Sequence, residues 1–105
     1  MIYILSIKPH FKLIISREEG ENKFLEGYRK QYVSLYSSSH PGPLALIDGQ
    51  PSDEDIHLAA RLVARYSKGR DAATVTVEIT LTDGQHKQLQ VAPMASEAIP
   101  QEWYV

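Results

Sequence analysis

The chain has 105 residues, of which 43% are hydrophobic and 23% are charged, a composition that suits one globular domain. Its formal net charge of −2 at pH 7 excludes a protein that coats nucleic acid by bulk charge, but it permits a local basic surface. The absence of cysteine excludes disulfides, thiolate metal sites and thiol nucleophiles. It also fits a reducing compartment, and we therefore expect a cytoplasmic protein that does not span a membrane.

Short strands and loops are predicted for the first half of the chain. The β-branched and aromatic runs that indicate strands are residues 2–7, 11–16, 28–36 and 44–47. A short helix is predicted over residues 18–26, because glycine at position 27 provides a stop signal. The proline- and glycine-rich residues 37–43 predict a loop between the last two of these strands.

A long amphipathic helix is predicted over residues 52–68. Ser52 is a suitable N-cap, and Asp55 three positions later completes an Asp-for-Glu version of the capping box. From Ile56 onward, apolar residues recur at the spacing of a buried helical stripe. Gly69 is predicted to end the helix in the left-handed conformation that glycine adopts easily.

A β-hairpin and a short apolar tail are predicted for the remainder of the chain. Residues 74–82 alternate between apolar and polar, the turn follows at Asp83 and Gly84, and residues 86–91 return as the paired strand. The apolar residues 103–105 are expected to dock on the core or to pair as an edge strand. The predicted fold class is α+β: an antiparallel-rich mixed sheet of about five to six strands, with one long helix packed on one face and one short helix.

No arrangement of residues indicates catalysis, a metal or a cofactor. The histidines show no metal-ligand spacing, and the scattered glycines fit no nucleotide-binding loop. The serines at positions 37–39 lack the strand-turn-helix setting of a nucleophile elbow. We therefore predict a non-catalytic domain without a metal or cofactor site.

The second half of the long helix carries a run of cations. Arg61, Arg65 and Lys68 follow one another at helical spacings of four and three, and Arg70 comes just after them. Two interpretations stand side by side. Cations are favoured at a helix C-terminus because its dipole end is negative. The same residues would also form a patch for the phosphates of a nucleic acid.

Four segments in order resemble the NFACT-R RNA-binding domain of ribosome-quality-control proteins. The similar segments are residues 15–25, 40–47, 55–70 and 76–79. The chain differs from the family's first signature at Ser16, where the family has glycine, and at Lys23, where it has aspartate. The closing residues 91–104 resemble the branch found at the C-terminus of thiouridylase-like proteins, behind a PP-loop ATPase domain. The chain is therefore interpreted as one domain over residues 1–105, either by itself or excised from the C-terminus of a larger protein.

The resemblance implies an RNA-binding, and specifically tRNA-binding, module that positions RNA for a tRNA thiolation enzyme. The residues that it implies for RNA binding are Arg17, Lys23, His40, Gly42, Arg61, Arg65, Lys68 and Arg70. Tyr32 and Tyr36 are candidates for stacking on bases, with core or sheet packing as the alternative. The competing hypothesis is a protein-interaction domain that docks on a PP-loop ATPase or a ribosomal component through residues 103–105.

Overall fold

In a computed structural model, which describes residues 3–8, 11–16, 27 and 31–104, six strands form one sheet. The strands are β1 (Tyr3–Lys8), β2 (Phe11–Ile15), β3 (Val33–Ser37), β4 (Leu44–Gly49), β5 (Val75–Thr80) and β6 (His86–Val91). Their spatial order is β1-β2-β4-β3-β5-β6, and each neighbouring pair is antiparallel. The α+β prediction is confirmed. The short helix predicted over residues 18–26 lies outside the described residues.

One α-helix, α1 (Asp53–Tyr66), packs on one face of the sheet. The alternation of β5 explains why, since Val75, Val77 and Ile79 all point into the core beneath the helix. Ala59 and Val63 of α1 are fully buried against them. The other helical segments of the described chain are two 3-10 turns, Ser96–Ala98 and Gln101–Trp103. In the described part of the chain, no helix has the length and hydrophobicity of a membrane span.

The start of α1 confirms the predicted capping box. The Ser52 hydroxyl accepts from the Asp55 backbone N–H at 3.2 Å, and the Asp55 carboxylate accepts from the Ser52 N–H at 3.0 Å. Two of the backbone donors that a helix start leaves unsatisfied are thereby paired. The acidic first turn, which also contains Asp53 and Glu54, lies at the positive end of the helix dipole.

The predicted end of α1 is wrong. The helix stops at Tyr66, and Ser67 is an extended C-cap with φ −85° and ψ 172°. Gly69 does not adopt a positive φ. The reason is that the Ser67 hydroxyl donates to the Ala64 carbonyl at 2.6 Å and accepts from the Gly69 N–H at 3.0 Å. A serine side chain therefore takes over the capping that a left-handed glycine would have provided.

Several strand boundaries differ from the prediction, among them the start of β3, the end of β4 and both ends of β5, which spans only Val75–Thr80. Within the described residues, β3 begins only at Val33, because Gln31 and Tyr32 lie in a turn. Strand β4 continues to Gly49, because Gly49 is the register partner of Phe11 at the start of β2.

The C-terminal segment crosses the molecule from β6 to the opposite sheet edge at β1. The Met94 N–H donates to the Arg61 carbonyl at 3.2 Å, and Met94 and Ile99 are buried in the core. Tyr104 forms an isolated antiparallel bridge with Leu5 of β1, and its hydroxyl is hydrogen-bonded to that of Tyr66. Both predicted fates of the tail, core docking and edge pairing, are confirmed up to Tyr104.

Candidate nucleic-acid interface

The loop between β3 and β4 is packed against the end of α1. The Lys68 N–H donates to the Pro41 carbonyl at 2.7 Å, which joins the two segments by their backbones. A Cβ atom on Gly42 would lie 2.7 Å from the Cβ and 3.0 Å from the Cα of Ser67. A Cβ on Gly69 would lie 2.7 Å from the ring of His40. Both glycines are therefore required by close packing between loop and helix end.

The serine run that precedes this loop holds it to the start of β5. Ser39 accepts from the Thr76 N–H at 2.9 Å and shares a 2.8 Å hydrogen bond with the His40 ring. The Ser38 N–H donates to the Thr76 carbonyl at 2.9 Å, and Ser37 accepts from the His40 N–H at 3.2 Å. Sequence reasoning found no role for Ser38 and Ser39, because their shared partner Thr76 lies 38 and 37 positions away along the chain.

Ser16, the departure from the family's glycine, anchors the other side of the loop. It is fully buried, and its hydroxyl donates to the Leu44 carbonyl at 3.0 Å and accepts from the Leu44 N–H at 3.1 Å. These two bonds continue the pairing of β2 with β4 by one residue beyond Ile15. The serine hydroxyl therefore ties the end of β2 to the residue after Pro43.

The predicted cations occupy this end of the molecule in different ways. Lys68 and Arg70 are exposed, whereas Arg61 and Arg65 are half-buried. The Arg61 Nε donates to the Ala92 carbonyl at 3.0 Å, so this side chain is directed to the C-terminal segment. Among the described residues, none of these cations forms a salt bridge with a carboxylate. Arg17 and Lys23 of the predicted set lie outside the described residues.

The loop itself offers polar groups beside Lys68. His40 is half-buried, and Gly42 is exposed. The Gly42 N–H makes no hydrogen bond to any described residue. Gly42 and Lys68 are both exposed, and the backbone of Lys68 is bonded to Pro41, the residue before Gly42. A free backbone N–H and an ammonium group on adjoining segments are suited to an anionic oxygen. The structure thus brings together His40, Gly42 and Lys68, and it places Arg61 farther along the helix.

The predicted stacking residues lie on the sheet face opposite α1. Leu35 is buried on the helix side, so its neighbour Tyr36 projects from the other face, where it is 37% exposed. Tyr32 is half-buried and packs against Leu44 and Leu46 on that same face. The tyrosines and the helical arginines therefore lie on opposite faces of the sheet. The loop between β3 and β4 lies at one end of the sheet, where it borders both faces.

The sequence analysis did not predict a hydrogen-bonded carboxylate on the sheet face opposite α1, which we call the open face. Glu78 of β5 accepts from the Ser38 hydroxyl at 2.6 Å, from His86 Nε2 at 2.7 Å and from the Gln88 amide at 2.8 Å. The pKa of Glu78 is lowered from 4.5 to about 2, chiefly by the hydrogen bond from Ser38 and then by the bonds from His86 and Gln88 and the charge of His86. Burial opposes this shift. The alternating pattern of β5 placed Glu78 on the polar face but did not reveal its partners.

This carboxylate has a consequence for acid stability. Because the pKa of Glu78 is lower in the folded state, its stabilising effect is present above pH 4.5 and is lost as the pH falls towards about 2. We expect Glu78→Gln to unfold more easily than the wild type at neutral pH. The difference in free energy of unfolding should narrow between pH 4.5 and about 2 in urea titrations. Glu102→Gln, which removes the same charge from an exposed position, controls for net charge. A difference that stays constant with pH would contradict this role for Glu78.

Within the described ranges, no group of three or more histidine, aspartate or glutamate side chains is arranged to hold a metal ion. The described residues thus form an antiparallel sheet with one α-helix. At one end of the sheet, the loop that contains Gly42 meets the end of α1 beside exposed cations. Together they define a small α+β domain with a polar, basic edge suited to an anionic ligand.

The family model described as the NFACT protein RNA binding domain matches residues 4–104. The chain therefore belongs to this RNA-binding domain family, as the four sequence segments predicted. No curated protein sequence matches significantly.

One solved structure with the same fold is the C-terminal part of the fibronectin/fibrinogen-binding protein from Streptococcus suis. It aligns with a TM-score of 0.76 at 21% identity over 91% of this chain, and the aligned region is 46% of that chain. This chain thus spans about half of the length of that structure, and at this identity the likeness concerns the fold alone.

Proposed function

We propose that this domain binds tRNA and positions it for a tRNA thiolation enzyme that contains a PP-loop ATPase domain, in the same protein or in a separate one. The membership in an RNA-binding domain family carries the proposal. The resemblance of residues 91–104 to the thiouridylase-associated branch supports the choice of tRNA. In this proposal the domain is non-catalytic and cytoplasmic, and the chemistry belongs to the ATPase partner.

The proposed contact is made by the basic end of the molecule. Lys68 and Arg70 are exposed and have no carboxylate partner among the described residues, so their full charge is available to phosphates. The Gly42 N–H adds a neutral donor at a fixed position, because the loop is held by the bond from Lys68 to Pro41. Side-chain charges supply affinity, and the rigid loop supplies orientation.

The competing protein-docking function has less support. Its proposed interface was the apolar tail, and Trp103 is half-buried against the domain's own core. Tyr104 is paired with Leu5 and hydrogen-bonded to Tyr66. These contacts occupy the tail within the domain and leave less of it for a partner.

A tRNA titration followed by amide NMR tests the proposal. We expect chemical-shift changes concentrated on residues 38–43 and 65–70, with an affinity that falls steeply as salt is raised. A bulk tRNA preparation is the probe, and a single-stranded DNA of equal length tests the preference for RNA. An unchanged spectrum at saturating tRNA would exclude RNA binding by this domain. A preference for other RNAs over tRNA would retain RNA binding and exclude the thiolation role.

A further inference from the structure

On the sheet face opposite α1, the exposed side chain of Tyr36 lies in register with the Glu78 cluster. Tyr36 of β3 is the cross-strand partner of Glu78 on β5, and Glu78 is in turn the partner of Gln88 on β6. Directly opposed side chains in an antiparallel sheet are about 5 Å apart at Cβ. The three residues therefore form one row, with Tyr36 and Gln88 separated by two strand spacings, or about 10 Å.

The side-chain amide of Gln88 is held in one orientation. Its nitrogen donates to the Glu78 carboxylate at 2.8 Å, and a flipped amide would place two oxygens against each other. Glu78 is itself fixed by the bonds from Ser38 and His86. The Gln88 carbonyl oxygen and its second N–H make no hydrogen bond to described residues, and the residue is exposed. One acceptor and one donor are thus presented to solvent in a preset direction.

We propose that this row is a nucleobase site, in which a single-stranded base of the bound RNA stacks on the Tyr36 ring while its edge hydrogen-bonds to the Gln88 amide. The inference rests on the proposed RNA binding and deepens it. The Gln88 amide reaches over to the Glu78 carboxylate on the strand between them, so a base stacked on the Tyr36 ring has about one strand spacing left to bridge with its polar edge. Amide side chains pair with base edges through one donor and one acceptor.

The position of the site relative to the basic end supports the same assignment. Ser38, which donates to Glu78, belongs to the segment that leads into the loop with His40 and Gly42. A strand whose phosphates lie at the basic loop therefore reaches the open face directly past Ser38. Phosphate contacts at the loop would set the register, and the row would read the base.

Binding of two short oligoribonucleotides to the full chain, one intact and one with abasic positions, tests this site. We expect the wild type to prefer the intact strand by about 5- to 150-fold, the range of one stacked base. Tyr36→Ala should remove this preference, whereas Tyr36→Phe should retain it. Gln88→Ala should retain the preference for the intact strand. In titrations with the four homopolymeric RNAs, the same variant should discriminate less among the bases than the wild type does. Gln90→Ala is the matched control, because Gln90 is exposed on the same face of β6 and is not bonded to Glu78.

The outcomes separate the site from the proposed function. If wild type and Tyr36→Ala bind the intact strand equally and show the same preference over the abasic strand, the nucleobase site is wrong and RNA binding stands. If the wild type binds neither strand, RNA binding itself fails. The Tyr36→Phe variant keeps the aromatic ring. If this variant has a native NMR spectrum but no preference for the intact strand, stacking of a base on residue 36 is also wrong.

Discussion

Reversing the charges of Lys68 and Arg70 is expected to weaken tRNA binding by about 10- to 100-fold near 0.1 M salt. Both side chains are exposed and lack a carboxylate partner among the described residues, so the change removes two phosphate contacts without disturbing the core. The slope of log affinity against log salt should fall by about 0.7 to 0.9 for each lost contact. Fluorescence anisotropy with labelled tRNA at several salt concentrations measures both quantities.

The matched control reverses Lys12 and Lys87, which changes the net charge by the same amount at the other end of the sheet. Lys12 lies opposite Asp48 near the end of β4, and Lys87 is 3.8 Å from Asp53 at the start of α1. We expect this variant to bind tRNA almost as the wild type does. Equal losses in both variants would show that overall charge, and not the loop end, governs binding. Arg61 is unsuitable for this test because its bond to Ala92 gives it a structural role.

Gly69→Ala is expected to destabilise the fold by about 1–3 kcal/mol, although glycine-to-alanine changes at compatible positions usually stabilise. The added methyl would lie 2.7 Å from the His40 ring and 2.8 Å from a methyl group of Val75. Contacts this short require the ring to move, which disturbs its hydrogen bond with Ser39. Urea unfolding at neutral pH measures the loss.

The double variant with His40→Ala provides the control for this packing argument. Removal of the ring leaves only the Val75 contact. Gly69→Ala should therefore lower the free energy of unfolding by less in the His40→Ala background than in the wild type. Equal costs in the two backgrounds would place the strain elsewhere. A stability at or above the wild-type value for Gly69→Ala alone would refute the close packing of the loop on the helix end.

The sequence alone predicted the elements whose signals are contained in short segments. The capping box of Ser52 and Asp55 needs residues three positions apart, and the hairpin of β5 and β6 needs a turn between two periodic strands. The α+β class and the docking of the tail followed from the same patterns. The RNA-binding family followed from four short segments. Whether the proposed residues contact RNA stays a prediction.

Tertiary structure decided what depends on contacts between distant parts of the chain. Glu78 meets Ser38 across 40 positions, and no local pattern predicts which hydroxyl will face a carboxylate in a neighbouring strand. The end of α1 was misjudged because the Pro41 carbonyl of the distant loop takes the Lys68 N–H, while the Ser67 hydroxyl caps the last turn. The need for glycine at position 42 likewise arises from the nearby Ser67. Periodicity and capping are local properties of the chain, whereas these contacts exist only once the sheet order has brought the loop to the helix.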